Sequence, residues 1–294
     1  MTNPNELAKQ EQFQDEPGSV PEARAESFRL PKLTYRVWKV WRRNYDVFIK
    51  TFKVSFFPPL LEPIFYLAAL GTGLGALTAG SANLLGGQSY IQFITPALIS
   101  ITIMYSSFFE CTYGSFVRMY YQRTFEGIIA TPISVEEVIG GEILWGATRA
   151  LIGSAIVLAV VAAFDLVVKP PLITSPLFLL VLPIAFFSGL LFSSIALCFT
   201  ALAPNIDFFN YPQFLFITPM FLLSSTFFPL ALLPQPLQIF SEAILPLTHT
   251  VNLIRWSIFG NGNMPFQFSV LWIAVIAPFF FVLAINLMKK RLIK

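Results

Sequence analysis

Residues 177–202 read LFLLVLPIAFFSGLLFSSIALCFTAL, a run without one Asp, Glu, Lys or Arg. At about 1.5 Å rise per residue, a helix of that length covers roughly 39 Å, more than the roughly 30 Å of a bilayer's hydrocarbon core. Five further stretches are predominantly apolar and also long enough to cross, at about 56–79, 91–116, 143–164, 208–230 and 268–288. Of the 294 residues 55% are hydrophobic, 16% aromatic and only 12% charged, and 32 Phe outnumber 19 Lys and Arg. Soluble chains carry about a quarter charged residues. A soluble enzyme is therefore excluded, and an all-α polytopic membrane protein with six transmembrane helices is expected. A less apolar stretch, Pro234 to Phe259, is broken by Pro236, Glu242, Pro246, His249 and Arg255. It predicts one or two half-helices that re-enter externally between spans five and six, where irregular backbone can pack on protein.

The flanks differ from the spans. Residues 1–29 hold Glu6, Glu11, Asp15, Glu16, Glu22 and Glu26 and few large apolar side chains, which predicts a mobile acidic tail and no signal peptide. Across 30–53 the period becomes helical. Leu33, Val37, Trp38, Val40, Trp41, Tyr45, Phe48 and Ile49 share one half of the wheel, and Lys32, Arg36, Lys39, Arg42, Arg43 and Lys50 the other. Such a helix lies in the membrane interface, its basic face toward anionic lipid or a cytoplasmic partner. Basic residues crowd before residue 54, at Arg118 and Arg123, and at the C-terminal tail, while the 80–90 loop has none. The positive-inside rule then predicts cytoplasmic termini and an even number of spans.

The segment between spans two and three, residues 118–149, reads RMYYQRTFEGIIATPISVEEVIGGEILWGATR. Ser134 and Glu137 fit the capping box S-x-x-E, so a helix starts after Ser134. Gly140-Gly141 is expected to interrupt it within two turns and act as a hinge. The result is a short cytoplasmic helix, Ser134, Val135, Glu136, Glu137, Val138 and Ile139, exposed as a docking knob; the plain alternative is a loop that starts span three early.

Several motifs resemble the membrane subunits of type-2 ABC exporters. They are Glu62-Pro-Ile-Phe-Tyr-Leu with Gly71-x-Gly-x-Gly75, Phe109-Glu110-x-Thr-Tyr-x-Ser-Phe-x-Arg118-Met, Arg123-Thr-Phe-Glu126-Gly with Ala130-Thr-Pro-Ile-Ser134, and Leu245-Pro-Leu-Thr-His249 before Arg255. The resemblance covers about residues 30–294, is strongest to the nodulation-factor (lipo-oligosaccharide) and drug-exporting branch, and makes 54–294 the transmembrane domain. It implies a homodimer bound to two copies of a separate ATP-binding cassette subunit, in a bacterial cytoplasmic (inner) membrane, with no nucleic acid partner. ATP and Mg would sit on that subunit, and this chain would carry no cofactor. The Ser134–Ile139 helix, with Arg123 and Glu126, would be its coupling surface, and Arg36, Lys39, Arg42 and Arg43 the interfacial one. Spans one, two and five would form the pathway, with Gly71, Gly75, Tyr211 and Phe214 as dimer or pathway candidates.

No residue pattern carries catalysis or a metal. Gly141-Glu-Ile-Leu-Trp-Gly146-Ala147-Thr148 imitates a phosphate loop but lacks its Lys and a preceding strand. His249 has no triad-like neighbour and reads as a packing or capping residue. Cys111 and Cys198 lie in apolar runs and read as buried thiols. Glu62, Glu110 and Arg149 each cost a few kcal/mol if unpaired in hydrocarbon. Their assigned positions share a depth, which predicts a cluster, either a structural staple or a gate for a polar head group. The function expected is export of an amphiphile driven by a partner ATPase; the alternative, an ATPase-independent channel or ion-coupled transporter, would call for an ionisable chain at the midplane or an internal repeat.

Overall fold

The computed structural model describes residues 31, 33–78, 88–168 and 171–293, so the acidic tail and most of the 80–90 loop lie outside the described residues. All regular structure among these residues is helical. The principal helices are α1 (Val37–Thr78), α2 (Tyr90–Phe109), α3 (Thr124–Ile129), α4 (Val135–Asp165), α5 (Val181–Leu202), α6 (Asn210–Pro212), α7 (Thr218–Leu223), α8 (Gln235–Ile244), α9 (Pro246–Phe259) and α10 (Phe266–Leu292). Among the described residues, four helical stretches are long and apolar enough to cross a membrane: Tyr90–Tyr121, Val135–Asp165, Pro176–Leu202 and Phe266–Leu292.

Contacts at their ends fix how these helices alternate. At one end, here the proximal end, Lys289 of α10 pairs with Glu136 of α4 at 3.0 Å, Arg291 donates to the carbonyl of Thr200 in α5, and Arg36 donates to the carbonyl of Pro132. At the distal end, Gln92 Nε2 donates to the Pro171 carbonyl at 2.8 Å, and the amides of Thr174 and Ser175 reach Ile258 at 3.1 and 2.9 Å. Helix α4 packs along α1, α2 and α5, and α5 packs along α10. Small residues allow the closest approaches. A Cβ on Gly141 would lie 2.6 Å from Val40 Cβ, and one on Gly146 would lie 2.3 Å from Ser193 Oγ and 2.5 Å from Cys111 Sγ.

The sequence expectations need three corrections. An interfacial helix separate from span one is not found, because α1 is continuous from Val37 to Thr78. Its buried stripe, Val40, Asn44 and Phe48, runs along α4, so this segment belongs to the bundle. Gly140-Gly141 does not break a helix either: α4 passes through both without interruption, and the pair is where Leu33, Val37 and Val40 press against it. The short helix between α2 and α4 is instead α3, whose preceding residue Arg123 takes a left-handed φ of 48°. Span five is also no regular helix. Pro212 and Pro219 flank a π-helical turn, Gln213–Ile217, as expected where proline disrupts the i to i−4 bonds. Thr218 Oγ1 recovers the Gln213 carbonyl at 3.0 Å, and the helical run ends at Leu223 before Ser225 at φ 58°.

Between α7 and α10, α8 and α9 form two short helices broken at Leu245. Helix α9 is buried from Pro246 to Ile258 except at Trp256. His249 stacks on Trp272 at 4.4 Å and has Nδ1 3.3 Å from Ser269 Oγ, the environment of a packing histidine. Arg255 lies over the Phe93 ring at 4.7 Å and donates to Ser225. Both cysteines are free and buried.

Candidate functional site

Two features stand together at the proximal end: an exposed loop with its short helix, and a buried ionic cluster directly inside it. After Phe109 the α2 stretch widens into π-helical turns at Glu110–Gly114 and Val117–Tyr121. Such turns rotate side chains out of α-helical register and often mark functional positions. Here they turn Glu110, Ser115 and Arg118 together toward α4. Arg118 Nη1 lies 2.8 Å from Glu110 Oε1, and its Nη2 and Nε lie 2.6 and 3.0 Å from Glu142 Oε2. Gly114 leaves the room this requires, since a Cβ there would sit 3.1 Å from Glu110 Oε1 and 3.3 Å from Arg118 Nη1.

Glu142 is 1% exposed and fully engaged. Besides Arg118 it accepts from Ser115 Oγ at 2.6 Å and from Asn44 Nδ2 of α1 at 2.8 Å. Glu110 also accepts from Trp145 Nε1 at 2.9 Å and lies 3.4 Å from Arg149 Nε, whose guanidinium covers the Phe48 ring at 4.6 Å. One network therefore ties α1, α2 and α4. Charge pairs taken out of water hold a geometry only when their remaining donors and acceptors are satisfied, and Glu142 meets that condition.

The pairing of Glu110 with Arg149 agrees with expectation, but Glu62 is not part of the cluster. It is exposed on α1 and lines a separate cavity of about 140 Å³ with Tyr66, Leu98, Thr102, Tyr105 and Phe221. Those α2 residues precede Glu110 by one to three turns, and at about 1.5 Å per residue that puts Glu62 roughly 8–18 Å deeper. The central residues, Arg118 and Glu142, went unrecognised as partners. No spacing along a single helix marks them, because Glu110 and Arg118 come together across π-helical turns and Glu142 joins them from α4.

The capping box forms as expected: Ser134 Oγ accepts from the Glu137 amide at 3.3 Å, and Glu137 Oε2 accepts from the Ser134 amide at 2.8 Å. Glu137 also accepts from Thr34. Yet Val135, Glu137, Val138 and Ile139 are buried, the last two completely, and Glu136 faces Lys289. They are core residues of this chain and cannot form an external knob. What is exposed is the preceding segment, with Arg123, Glu126, Gly127, Thr131, Pro132 and Ser134 outward, Phe125 fully buried, and Ile128, Ile129 and Ile133 packed against the core. Arg36, just before α1, donates to the Pro132 carbonyl, and Arg43 Nη2 of α1 donates to Thr124 Oγ1 at 3.4 Å, so the start of α1 clamps that segment.

Lys39 and Arg42 of α1 are exposed, whereas Arg43 of α1 and Arg36, just before it, are half-buried. Tyr211 and Phe214 are exposed, at 62% and 68%. The surroundings of Gly71 and Gly75 lie outside the described residues, though the α1 backbone is helical through both. Among the described residues no group of His, Cys, Asp and Glu could hold a metal ion.

Comparison with known proteins places this architecture. Residues 35–259 match the ABC-2 type transporter family. Nodulation protein J of Sinorhizobium fredii (strain NGR234) is 34% identical over 266 residues, covering 90% of this chain and 97% of that protein. Nodulation protein J of Rhizobium meliloti (strain 1021) is 34% identical over 265 residues, covering 90% and 96%. The inner membrane transport permease YadH of Escherichia coli K12 is 24% identical over 240 residues, covering 81% and 89%.

Proposed function

Since the chain belongs to the ABC-2 type transporter family, we propose that it is the membrane subunit of an ATP-driven exporter of an amphiphilic or lipid-linked substrate. Lipo-oligosaccharide, polysaccharide and hydrophobic drugs are the substrate classes in view. Permeases of this family are transport subunits and not enzymes, and they normally work with an ATP-binding subunit. Two copies of this chain would join two ATP-binding cassette subunits, on which ATP and Mg²⁺ are held and hydrolysed.

The observation that carries the proposal is the exposed Arg123–Ser134 segment, clamped to α1 and backed by the ionic cluster. A force applied there by a moving ATPase reaches a rigid joint of α1, α2 and α4, because Arg118 and Glu142 lock those helices to one another. The basic residues at the proximal end, Arg36, Lys39, Arg42, Arg123, Lys289, Lys290 and Arg291, support a cytoplasmic orientation for that end. Six crossings then result when α1 and the broken α6–α7 run are counted with the four long stretches. Phe57, Leu61 and Phe65, on the same helix as Glu62, and Tyr211, Phe214 and Leu215 of the broken α6–α7 run are all exposed and apolar. They suit contact with the second copy and the substrate route between copies.

The test is reconstitution. The chain, co-expressed with the ATP-binding cassette subunit encoded beside it, is purified and placed in proteoliposomes. Stable co-purification and amphiphile-stimulated ATP hydrolysis are expected. Flux without the ATPase, or driven by an ion gradient alone, would overturn the reading.

A further inference from the structure

A cavity of about 410 Å³ opens between α1, α2 and α4 at the proximal end, and three guanidinium groups line it: Arg43, Arg118 and Arg149. They face two carboxylates, Glu110 and Glu142, both of which are already committed to Arg118. Arg43 donates only to neutral acceptors, Asn44 Oδ1 at 3.0 Å and Thr124 Oγ1 at 3.4 Å. Arg149 approaches Glu110 without an aligned hydrogen bond, and its buried Nε has no hydrogen-bond partner among the described residues. Two cations thus present unused donors to one space, and the cluster keeps an excess of one positive charge. Such a charge is costly where water is scarce unless an anion completes it.

The walls and the depth of the cavity indicate what kind of anion fits. Val47, Phe48 and Val117 supply apolar wall, while Thr51, Tyr113, Gln122 and Trp145 supply polar groups. On the adjoining turns of α1, Trp38 stacks on Trp41 at 4.0 Å and Trp41 on Tyr45 at 5.2 Å, with Trp38 and Tyr45 exposed. An outward Trp–Tyr ladder marks the head-group level of a bilayer, so the cavity lies at that level. We propose that it binds the phosphate-bearing head group of an anionic membrane amphiphile, with Arg43 and Arg149 as the phosphate donors and the tail left in the bilayer. Arginine suits this role because its fork bonds phosphate bidentately. The inference does not depend on that amphiphile being the exported substrate.

The test is native mass spectrometry of the chain purified with its partner subunits, titrated with phosphatidylglycerol, phosphatidylcholine or inorganic phosphate. Retention of phosphatidylglycerol over phosphatidylcholine of matched tails is expected, with at most weak competition from inorganic phosphate. Arg43→Gln and Arg149→Gln should each lower phosphatidylglycerol retention at least tenfold, while Lys290→Gln, an exposed cation outside the cavity, should not. Arg43 takes part in no ion pair among the described residues, so its variant keeps the test valid if Arg149→Gln fails to accumulate. Equal retention of the two lipids, or equal loss in Lys290→Gln and Arg43→Gln, would overturn the proposal. Displacement by inorganic phosphate at matched concentration would also overturn it, by showing a site for the free anion.

Discussion

Replacing Glu142 by Gln keeps the shape of the side chain and removes its charge. In the folded chain this carboxylate, 1% exposed, takes two bonds from Arg118 and one each from Ser115 and Asn44. The variant leaves Arg118 with Glu110 alone and turns an amide donor toward other donors. Breaking one member of a buried ion pair costs about 3–5 kcal/mol. For a chain of this size each kcal/mol moves the midpoint by about 2–4 °C, so a fall on the order of 10 °C is expected. The chain carries its own probe: Cys111 and Cys198 are free and buried, so a thiol-reactive fluorophore reports unfolding in detergent. Arg118→Gln should fall by a similar amount, because it strands Glu142. The double variant should fall by less than the sum, with a coupling of about 1 kcal/mol or more. A Glu142→Gln midpoint within about 2 °C of wild type, or additive losses, would refute the account of the cluster as the joint between three helices.

Other outcomes follow from the same geometry. Val138→Asp buries a charge in the core and should abolish accumulation of folded protein, while Glu126→Arg, at the surface, should change stability by less than about 0.5 kcal/mol yet lose co-purifying ATPase; size-exclusion profiles and pull-downs separate the two effects. Gly141→Ala forces a methyl against Val40 and should cost about 1–3 kcal/mol in thermal unfolding, whereas Gly127→Ala, with nothing within 4 Å of its added Cβ, should not lower the midpoint.

What the sequence made legible depended on whether one helix sufficed to read it. The helix start at Ser134 was readable because a capping box involves only residues three apart, and four of the six apolar stretches, 91–116, 143–164, 177–202 and 268–288, were readable from length and composition. The double glycine was not. Gly in a helix marks either a break or a close neighbour, and the neighbour here is α1, about a hundred positions earlier. Read as a hinge, the pair puts the docking knob on Ser134–Ile139 and makes Val138 and Ile139 surface residues, whereas both are completely buried. The charge cluster was read by depth alone, which included Glu62. Its true members depend on the π-helical turns of α2, which shift register in a way no period predicts. The wheel puts Arg43 on an outward basic face because it cannot show the cavity that Arg43 lines.

In the proposed exporter the exposed segment before α4 faces the cytoplasm and meets the ATPase. This placement is tested most directly by single cysteines placed in a chain whose Cys111 and Cys198 are replaced by Ser or Ala. One variant carries Gly127→Cys at the proximal end, and the other Asn261→Cys in the exposed loop between α9 and α10 at the distal end. Gly127→Cys should crosslink to the ATP-binding subunit and escape a membrane-impermeant maleimide in intact cells. Asn261→Cys should react with that maleimide and give no crosslink. The reverse labelling pattern, or a crosslink from Asn261→Cys and none from Gly127→Cys, would contradict the account.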